Sequence, residues 1–193
     1  MKTILGTVMI VALVATVGDA YSGTLGTRYV GVTAVRMTPR HTGESVVSFG
    51  GELHFPISGN LDGDVTAART FSEDGMVGLG TSAVGILQFQ LLPGATFNPF
   101  ISTGVLWANS EIQEETDWGT GCVLGGGAEI TVNQTASITA VGSYQLQEFG
   151  EDDTTIGIGF DALTAGWVLV SLTGSYSLDS GVKGLAAGVA VEF

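Results

Sequence analysis

Eight polar side chains fall on the same face of a series of alternating segments, where they could act together on cations. They are Glu52, His54, Asp64, Gln88, Gln90, Glu129, Asp161 and Glu192. Fixed carboxylates in a narrow space favour cations and repel anions. The same groups could instead hydrogen-bond one another and fill the interior of the fold as a polar network. The residue types therefore predict either an acidic constriction that passes ions or small solutes, or a polar plug.

Histidine would be needed for hydrolytic chemistry that pairs it with serine or aspartate, and the chain has two, His41 and His54. His41 has Thr42, Glu44 and Ser45 beside it, but a catalytic triad is defined by geometry and not by sequence neighbours. His54, two residues from Glu52, is typical of a hydrogen-bonded interior histidine. We therefore expect no catalytic residue, no cofactor and no metal site.

Acidic residues concentrate in two stretches, 110–118 and 150–153. They could bind divalent cations that bridge lipopolysaccharide, or they could be solvated loop charge. The residues concerned are Glu111, Glu114, Glu115, Asp117, Glu151, Asp152 and Asp153. The net charge of −13 excludes a nucleic-acid partner, because little in the chain could neutralise phosphates.

Ten segments with period-two alternation must position these side chains, and turn residues separate them. They span residues 27–37, 45–57, 63–71, 76–92, 96–110, 119–132, 136–149, 154–162, 166–178 and 182–193. The count is even, as a bacterial single-chain barrel requires. The connections after the second, fourth, sixth and eighth segments are neutral and tight, whereas the others carry most of the acid. This alternation predicts an up-and-down topology.

The two faces of these segments differ in chemistry. In the last segment Leu185, Ala187, Val189, Val191 and Phe193 share one side, and glycine, alanine and Glu192 share the other. The segments at 96–110 and 136–149 divide similarly, into a bulky apolar face and a face read as small or polar. A soluble sandwich would pack its bulky face inward and cover its outside with charge. Large apolar side chains on the outer face instead predict strands that contact lipid.

Composition supports the same interpretation. Charged residues are 13% of the chain and mean hydropathy is +0.40, whereas a soluble domain has about 25% charged residues. After residue 20, glycine, serine and threonine interrupt every apolar run, so no helix of membrane-spanning length is predicted there. Lipid tolerates only helices and closed barrels. We therefore predict an all-β fold, a closed antiparallel up-and-down transmembrane barrel of ten strands, with eight as the alternative.

Residues 1–20 have the layout of a secretory signal peptide, with Lys2, an apolar middle and small residues Gly18 and Ala20 before Tyr21. The alternative is a membrane-anchoring helix. Residues 21–193 are assigned to the barrel, in a Gram-negative-type outer membrane with both termini periplasmic. Expected partners are membrane lipid and lipopolysaccharide.

Interfacial residues are predicted near the strand ends. The aromatic ones are Tyr29, Phe71, Trp107, Tyr144, Phe149, Trp167 and Phe193, and the cationic ones are Arg28, Arg36, Arg69 and Lys183. Aromatic side chains form girdles at the two membrane surfaces, and long cations reach toward headgroups.

Three stretches, "NPFISTGVLW" (98–107), "GCVLGGGAEITVNQTASITAVGSYQLQEFG" (121–150) and terminal "GVAVEF" (188–193), resemble the small outer-membrane barrels of the OmpA-like and opacity-protein group. The resemblance implies that Val189, Val191 and Phe193 form the signal read by the barrel-assembly machinery. Those relatives usually have eight strands, whereas residues 154–178 here add two. Function is expected to be structural or surface-related, with a narrow, mildly cation-preferring channel as the alternative.

Overall fold

A computed structural model of the protein describes residues 28–40, 44–72, 78–112, 115–148, 152–164 and 166–193. The predicted signal peptide, His41, Phe149, Glu114 and Glu151 lie outside these ranges. The ten strands are β1 (Tyr29–Thr38), β2 (Val46–Ser58), β3 (Leu61–Ser72), β4 (Gly78–Gln90), β5 (Phe97–Ile112), β6 (Glu115–Asn133), β7 (Ala136–Gln147), β8 (Asp153–Thr164), β9 (Val168–Ser177) and β10 (Lys183–Glu192). The described residues include no helix that is long and apolar enough to cross a membrane.

Every strand pairs antiparallel with its chain neighbours, and β10 pairs with β1 to close the barrel. The closing register runs from Tyr29 opposite Glu192 to Thr38 opposite Lys183. Closure leaves no unpaired sheet edge. The prediction of a ten-stranded up-and-down barrel is confirmed, and both the eight-stranded alternative and the sandwich are wrong.

The barrel has two chemically different ends. The terminus end carries Tyr29, Glu192 and the tight turns, such as the one in which Asn133 Oδ1 accepts a hydrogen bond from Thr135 N at 2.8 Å. Gly94 and Gly166, with φ of 76° and 77°, supply left-handed backbone in two of these turns. The loop end carries the connections that follow the odd-numbered strands.

Large apolar side chains cover the outside of the barrel. Val32 and Val105 are each 67% exposed, and Ile158 is 61% exposed. In β10, Leu185 is 57% exposed, whereas Ala186, the next residue, is 0% exposed and points inward. An apolar belt of this extent is unfavourable in water and suits hydrocarbon. The predicted outward faces of β5, β7 and β10 are confirmed.

The interior differs from the prediction, because it is not only small or polar. One buried apolar cluster lines the inside of β4–β6, and its members are Val84, Ile86, Phe100, Leu106, Ala108 and Val123. A second lies at the loop end, and its members are Val35, Met37, Val46, Val182 and Ala186. The interior of ten strands is wider than small side chains alone can fill, and close packing favours larger ones there.

The acidic loop predicted between the fifth and sixth strands is mostly sheet. Backbone pairing continues from Asn109 opposite Trp118 to Ile112 opposite Glu115. Backbone hydrogen bonds do not require apolar side chains, so a charged hairpin can extend the two strands. The Trp107 and Trp118 rings lie 4.6 Å apart on the outer surface.

Candidate functional site

A polar layer crosses the lumen near the terminus end, and all eight predicted residues belong to it or lie beside it. The buried ones are Glu52 and His54 on β2, Asp64 on β3, Gln88 and Gln90 on β4, Glu129 on β6 and Asp161 on β8. Glu192 on β10 is only partly buried. The alternation of each strand places these side chains inward. Barrel closure then brings residues more than one hundred positions apart onto one level.

His54 is held on two sides. Its Nδ1 lies 2.7 Å from Asp64 Oδ1, in the directly opposed cross-strand pair. Its ring stacks on Tyr29 at 4.8 Å between centroids, with an interplanar angle of 8°. His54 is therefore a hydrogen-bonded interior residue. Tyr29 was predicted to lie at the membrane interface, and that prediction is wrong: its side chain is 2% exposed and points into the lumen.

Gln90 links three strands. Its Nε2 donates to Asp62 Oδ2 on β3 at 3.4 Å, and its Oε1 accepts from Asn98 Nδ2 on β5 at 2.6 Å. Asn98 Oδ1 in turn accepts from the backbone N–H of Leu92 at 3.2 Å, which fastens the turn after β4 to the lumen. These contacts are those of a packed hydrogen-bonded layer.

Sequence reasoning missed Asp62, Asn98 and the inward side chain of Tyr29. Residues 61 and 62 were assigned to a turn, whereas β3 begins at Leu61 and Asp62 is 0% exposed. The sequence carried a signal for both residues. Asp62 lies two residues before Asp64, and Asn98 lies two residues before Phe100, so each falls on the inward face of its strand.

The layer is strongly acidic. Its carboxyl groups outnumber the single imidazole, and they belong to Glu52, Asp62, Asp64, Glu129 and Asp161. In the part of the chain that the structure describes, all Lys and Arg side chains are exposed: Arg28, Arg36, Arg40, Arg69 and Lys183. Within the same residues, no group of three or more His, Cys, Asp or Glu is arranged to hold a metal ion.

The lumen beyond this layer is occupied by side chains. Phe100 is 2% exposed and reaches over Gly127, its cross-strand partner on β6. Leu106 is 2% exposed farther along β5, and Met37 is 0% exposed at the loop end. Inward-facing groups that meet so little solvent leave little room for a continuous aqueous path.

Asp153 corrects another expectation, since it was counted among the solvent-facing acids. It is 2% exposed at the start of β8 and accepts a hydrogen bond from Ser177 Oγ at 2.6 Å. Asp152 does lie on the surface, where its Oδ2 accepts from Tyr144 Oη at 2.9 Å. Asp153 is thus part of the luminal packing at the loop end.

The residues of the predicted assembly signal lie together on the outer face at the terminus end. Val189, Val191 and Phe193 are 47%, 38% and 69% exposed. The backbone N–H of Phe193 donates to Arg28 O at 3.0 Å, so the last residue remains fixed beside β1.

Several solved outer-membrane barrels are similar to this chain. An outer membrane channel from Pseudomonas putida F1 has a TM-score of 0.56 and 10% identity, over 91% of this chain and 98% of that one. The β domain of the Bordetella autotransporter BrkA has a TM-score of 0.53 and 11% identity, over 88% and 100% of the two chains. Neisserial surface protein A has a TM-score of 0.44 and 15% identity, over 86% and 97%.

No protein-family model and no curated protein matches the sequence. The similarity to the first two structures therefore shows the fold alone. This chain has the closed β-barrel architecture of outer-membrane proteins.

Proposed function

We propose that this chain is a non-enzymatic integral outer-membrane barrel with a structural or surface role, and that its lumen is closed. The observation that carries the proposal is the filled interior. The polar layer, the cluster on β4–β6 and the loop-end cluster together supply buried side chains along the length of the lumen.

The apolar outer belt supports location in a membrane. Aromatic side chains lie near both ends of that belt, with Trp107 and Trp118 toward the loop end and Trp167 and Phe193 toward the terminus end. The proposal includes membership of the OmpA-like and opacity-protein group, a cleaved signal peptide over residues 1–20, periplasmic termini, and recognition of Val189, Val191 and Phe193 by the barrel-assembly machinery.

The alternative is a narrow cation-preferring channel. It is supported by a small cavity of about 90 Å³ at the terminus end, lined by Glu129, Asp161 and Ser137. If side chains of the apolar clusters moved aside, the acidic layer would line the path of a cation through the terminus end of the lumen.

Conductance in planar bilayers separates the two functions. The refolded protein should give no steady open-channel steps at either polarity, because the path is blocked by packed side chains. A heat-modifiable gel shift of the same preparation, together with resistance of the barrel to protease after insertion, shows that silence comes from an inserted barrel. Steady steps whose cation preference falls in Glu129→Gln and Glu192→Gln would contradict the closed barrel and support the channel.

Hydrolytic activity is tested separately. We expect the protein to release no product from ester or peptide substrates, and His41→Ala and His54→Ala to change nothing. Activity that both substitutions abolish would contradict the non-enzymatic assignment.

A further inference from the structure

Two grooves of similar size cross the outer surface, each about 730 Å³ in volume. The first, here called the cationic groove, is lined by Val32, Ala34, Phe49, Gly51, Ala67 and Arg69. The second, the acidic groove, is lined by Val65, Gly85, Val105, Leu146, Glu148 and Asp152. Their walls are of the same apolar kind, and their charged residues are of opposite sign.

The cationic groove exists because small residues interrupt the belt of large ones. Gly51 on β2 lies directly opposite Ala67 on β3, and Ala34 on β1 lies directly opposite Ala187 on β10. Val32 and Phe49 stand beside them, 67% and 49% exposed. The result is an elongated apolar depression on a surface that faces hydrocarbon in the proposed location.

Cations gather at the loop end of this groove. Arg69 lies within it, opposite Phe49, which is itself opposite Ala34. Arg36 lies two residues beyond Ala34 on β1, and Lys183 is the first residue of β10. All three are exposed. The guanidinium carbon of Arg69 lies 5.9 Å from the centroid of the Phe71 ring, so an aromatic side chain flanks the charge.

We infer that the cationic groove binds a phosphate-bearing lipid of the leaflet at the loop end. An acyl chain lies along Gly51 and Ala67, and the phosphate lies toward Arg69 and Arg36. Arginine pairs with phosphate through a planar fork of donors, and cations at this depth attract anionic headgroups. The inference rests on the proposed outer-membrane location, and with periplasmic termini the lipid is lipid A, the membrane anchor of lipopolysaccharide.

Charge complementarity favours this occupant over others. A second copy docked through the same face would add a second set of the same cations to the interface, since a twofold interface uses the same surface patch on both subunits. Free phosphate would use the cations but leave the apolar groove unused. The acidic groove would repel the same headgroup unless divalent cations bridged it.

Lipid retention measured by native mass spectrometry tests the inference. The protein is refolded in phosphatidylcholine containing a small fraction of lipid A, with EDTA present to remove bridging divalent cations. We expect lipid A to stay bound to the wild type. Arg69→Gln and Arg36→Gln should each lower its affinity about fivefold. Glu148→Gln and Asp152→Asn, at the acidic groove, are the matched controls and should leave the affinity for lipid A unchanged.

A second pair of variants keeps every charge. Gly51→Leu fills the cationic groove, and a Cβ at Gly51 meets its nearest neighbour, Gly31 O, at 3.8 Å. Gly85→Leu fills the acidic groove, where a Cβ meets nothing within 4 Å. Lipid A retention should fall in Gly51→Leu and stay at the wild-type level in Gly85→Leu.

Three results would overturn the inference: equal retention in Arg69→Gln and Glu148→Gln, undiminished retention in Gly51→Leu, or displacement of lipid A by inorganic phosphate alone. A dimer mass in place of bound lipid would assign the face to a second copy and also overturn it. The gel shift and bilayer recordings on the same preparations report the proposed function independently. A folded, silent barrel without bound lipid A would therefore reject only the lipid site.

Discussion

Asp64 allows His54 to lie inside a barrel that excludes most solvent. A buried polar group without a partner costs free energy, and the 2.7 Å contact between Nδ1 and Oδ1 removes that cost for one ring nitrogen and one carboxyl oxygen. The Tyr29 ring covers the imidazole face. The pair thus ties β2 to β3 at the depth where the polar layer crosses the lumen.

Removing Asp64 should destabilise the barrel. Asp64→Ala leaves the buried His54 nitrogen without its partner, and we expect the free energy of unfolding to fall by about 1–3 kcal/mol. Asp64→Asn keeps an oxygen acceptor and should recover part of the loss. Urea titration of the lipid-embedded protein measures both.

Tyr144→Phe is the control for Asp64→Ala, because it removes the exposed hydrogen bond to Asp152. It should change the free energy of unfolding by less than about 0.5 kcal/mol. A loss as large as that of Asp64→Ala would show that burial does not distinguish the two contacts.

Cys122 is a natural probe of the outer surface. It is exposed, lies on the outer face of β6 opposite Val105 and Leu146, and is the only cysteine of the chain. In lipid vesicles it should react with a membrane-permeable maleimide and be protected from a charged, impermeant thiosulfonate. Unfolding in urea should remove the protection. Rapid labelling of the inserted protein by the impermeant reagent would place Cys122 in water.

At the scale of the elements, β5 and β6 pack through a cross-strand pair of one large and one small residue. Phe100 points inward opposite Gly127, and a Cβ at Gly127 would overlap both the Ala140 carbonyl oxygen and the Phe100 ring. Glycine here lets an aromatic ring lie across the neighbouring strand. Gly127 therefore has a packing role in the barrel wall.

Gly127→Ala should destabilise the barrel by about 1–3 kcal/mol, because the backbone of β7 cannot move away without breaking its pairing. Gly142→Ala is the matched control on β7, since a Cβ there meets nothing within 4 Å. Urea unfolding compares the two. Equal stability of both variants would mean that β6 and β7 separate more easily than their register implies.

For the whole molecule, closure and filling are separate properties. Pairing of β1 with β10 closes the wall, whereas Phe100 and Leu106 help to fill the space inside it. Because inward residues do not contact lipid, their truncation enlarges the lumen without changing the outer belt.

The triple variant Met37→Ala, Phe100→Ala, Leu106→Ala truncates the large members of both apolar clusters and should open a path to the polar layer. We expect small, cation-preferring conductance steps in planar bilayers, because the enlarged lumen would be lined by the carboxylates of the polar layer. The double variant Ile101→Ala, Val105→Ala removes apolar bulk from the outward face of β5, where both residues are exposed. It should remain silent, and steps in both variants would show that the effect does not come from the lumen.

The sequence predicted a closed wall of ten strands, with eight as the alternative, and the direction of most side chains, and the structure decided the strand number. Period-two alternation is local, and lipid outside reverses the pattern expected of a soluble sheet. Glu52, Glu129 and Asp161 could be placed inward on this basis. Asp62 was missed because turn signals obscured the start of β3, whereas Asn98 lay within a predicted segment and its inward side chain was overlooked.

Only the tertiary structure decided which inward side chains meet. The contacts of His54 with Tyr29 and Asp64, and of Gln90 with Asp62 and Asn98, depend on register between strands, and a shift of one residue would turn each side chain to the other face. Whether Phe100 and Leu106 fill the lumen depends on barrel width, which strand number and stagger set together. These quantities belong to the closed sheet and not to any one segment.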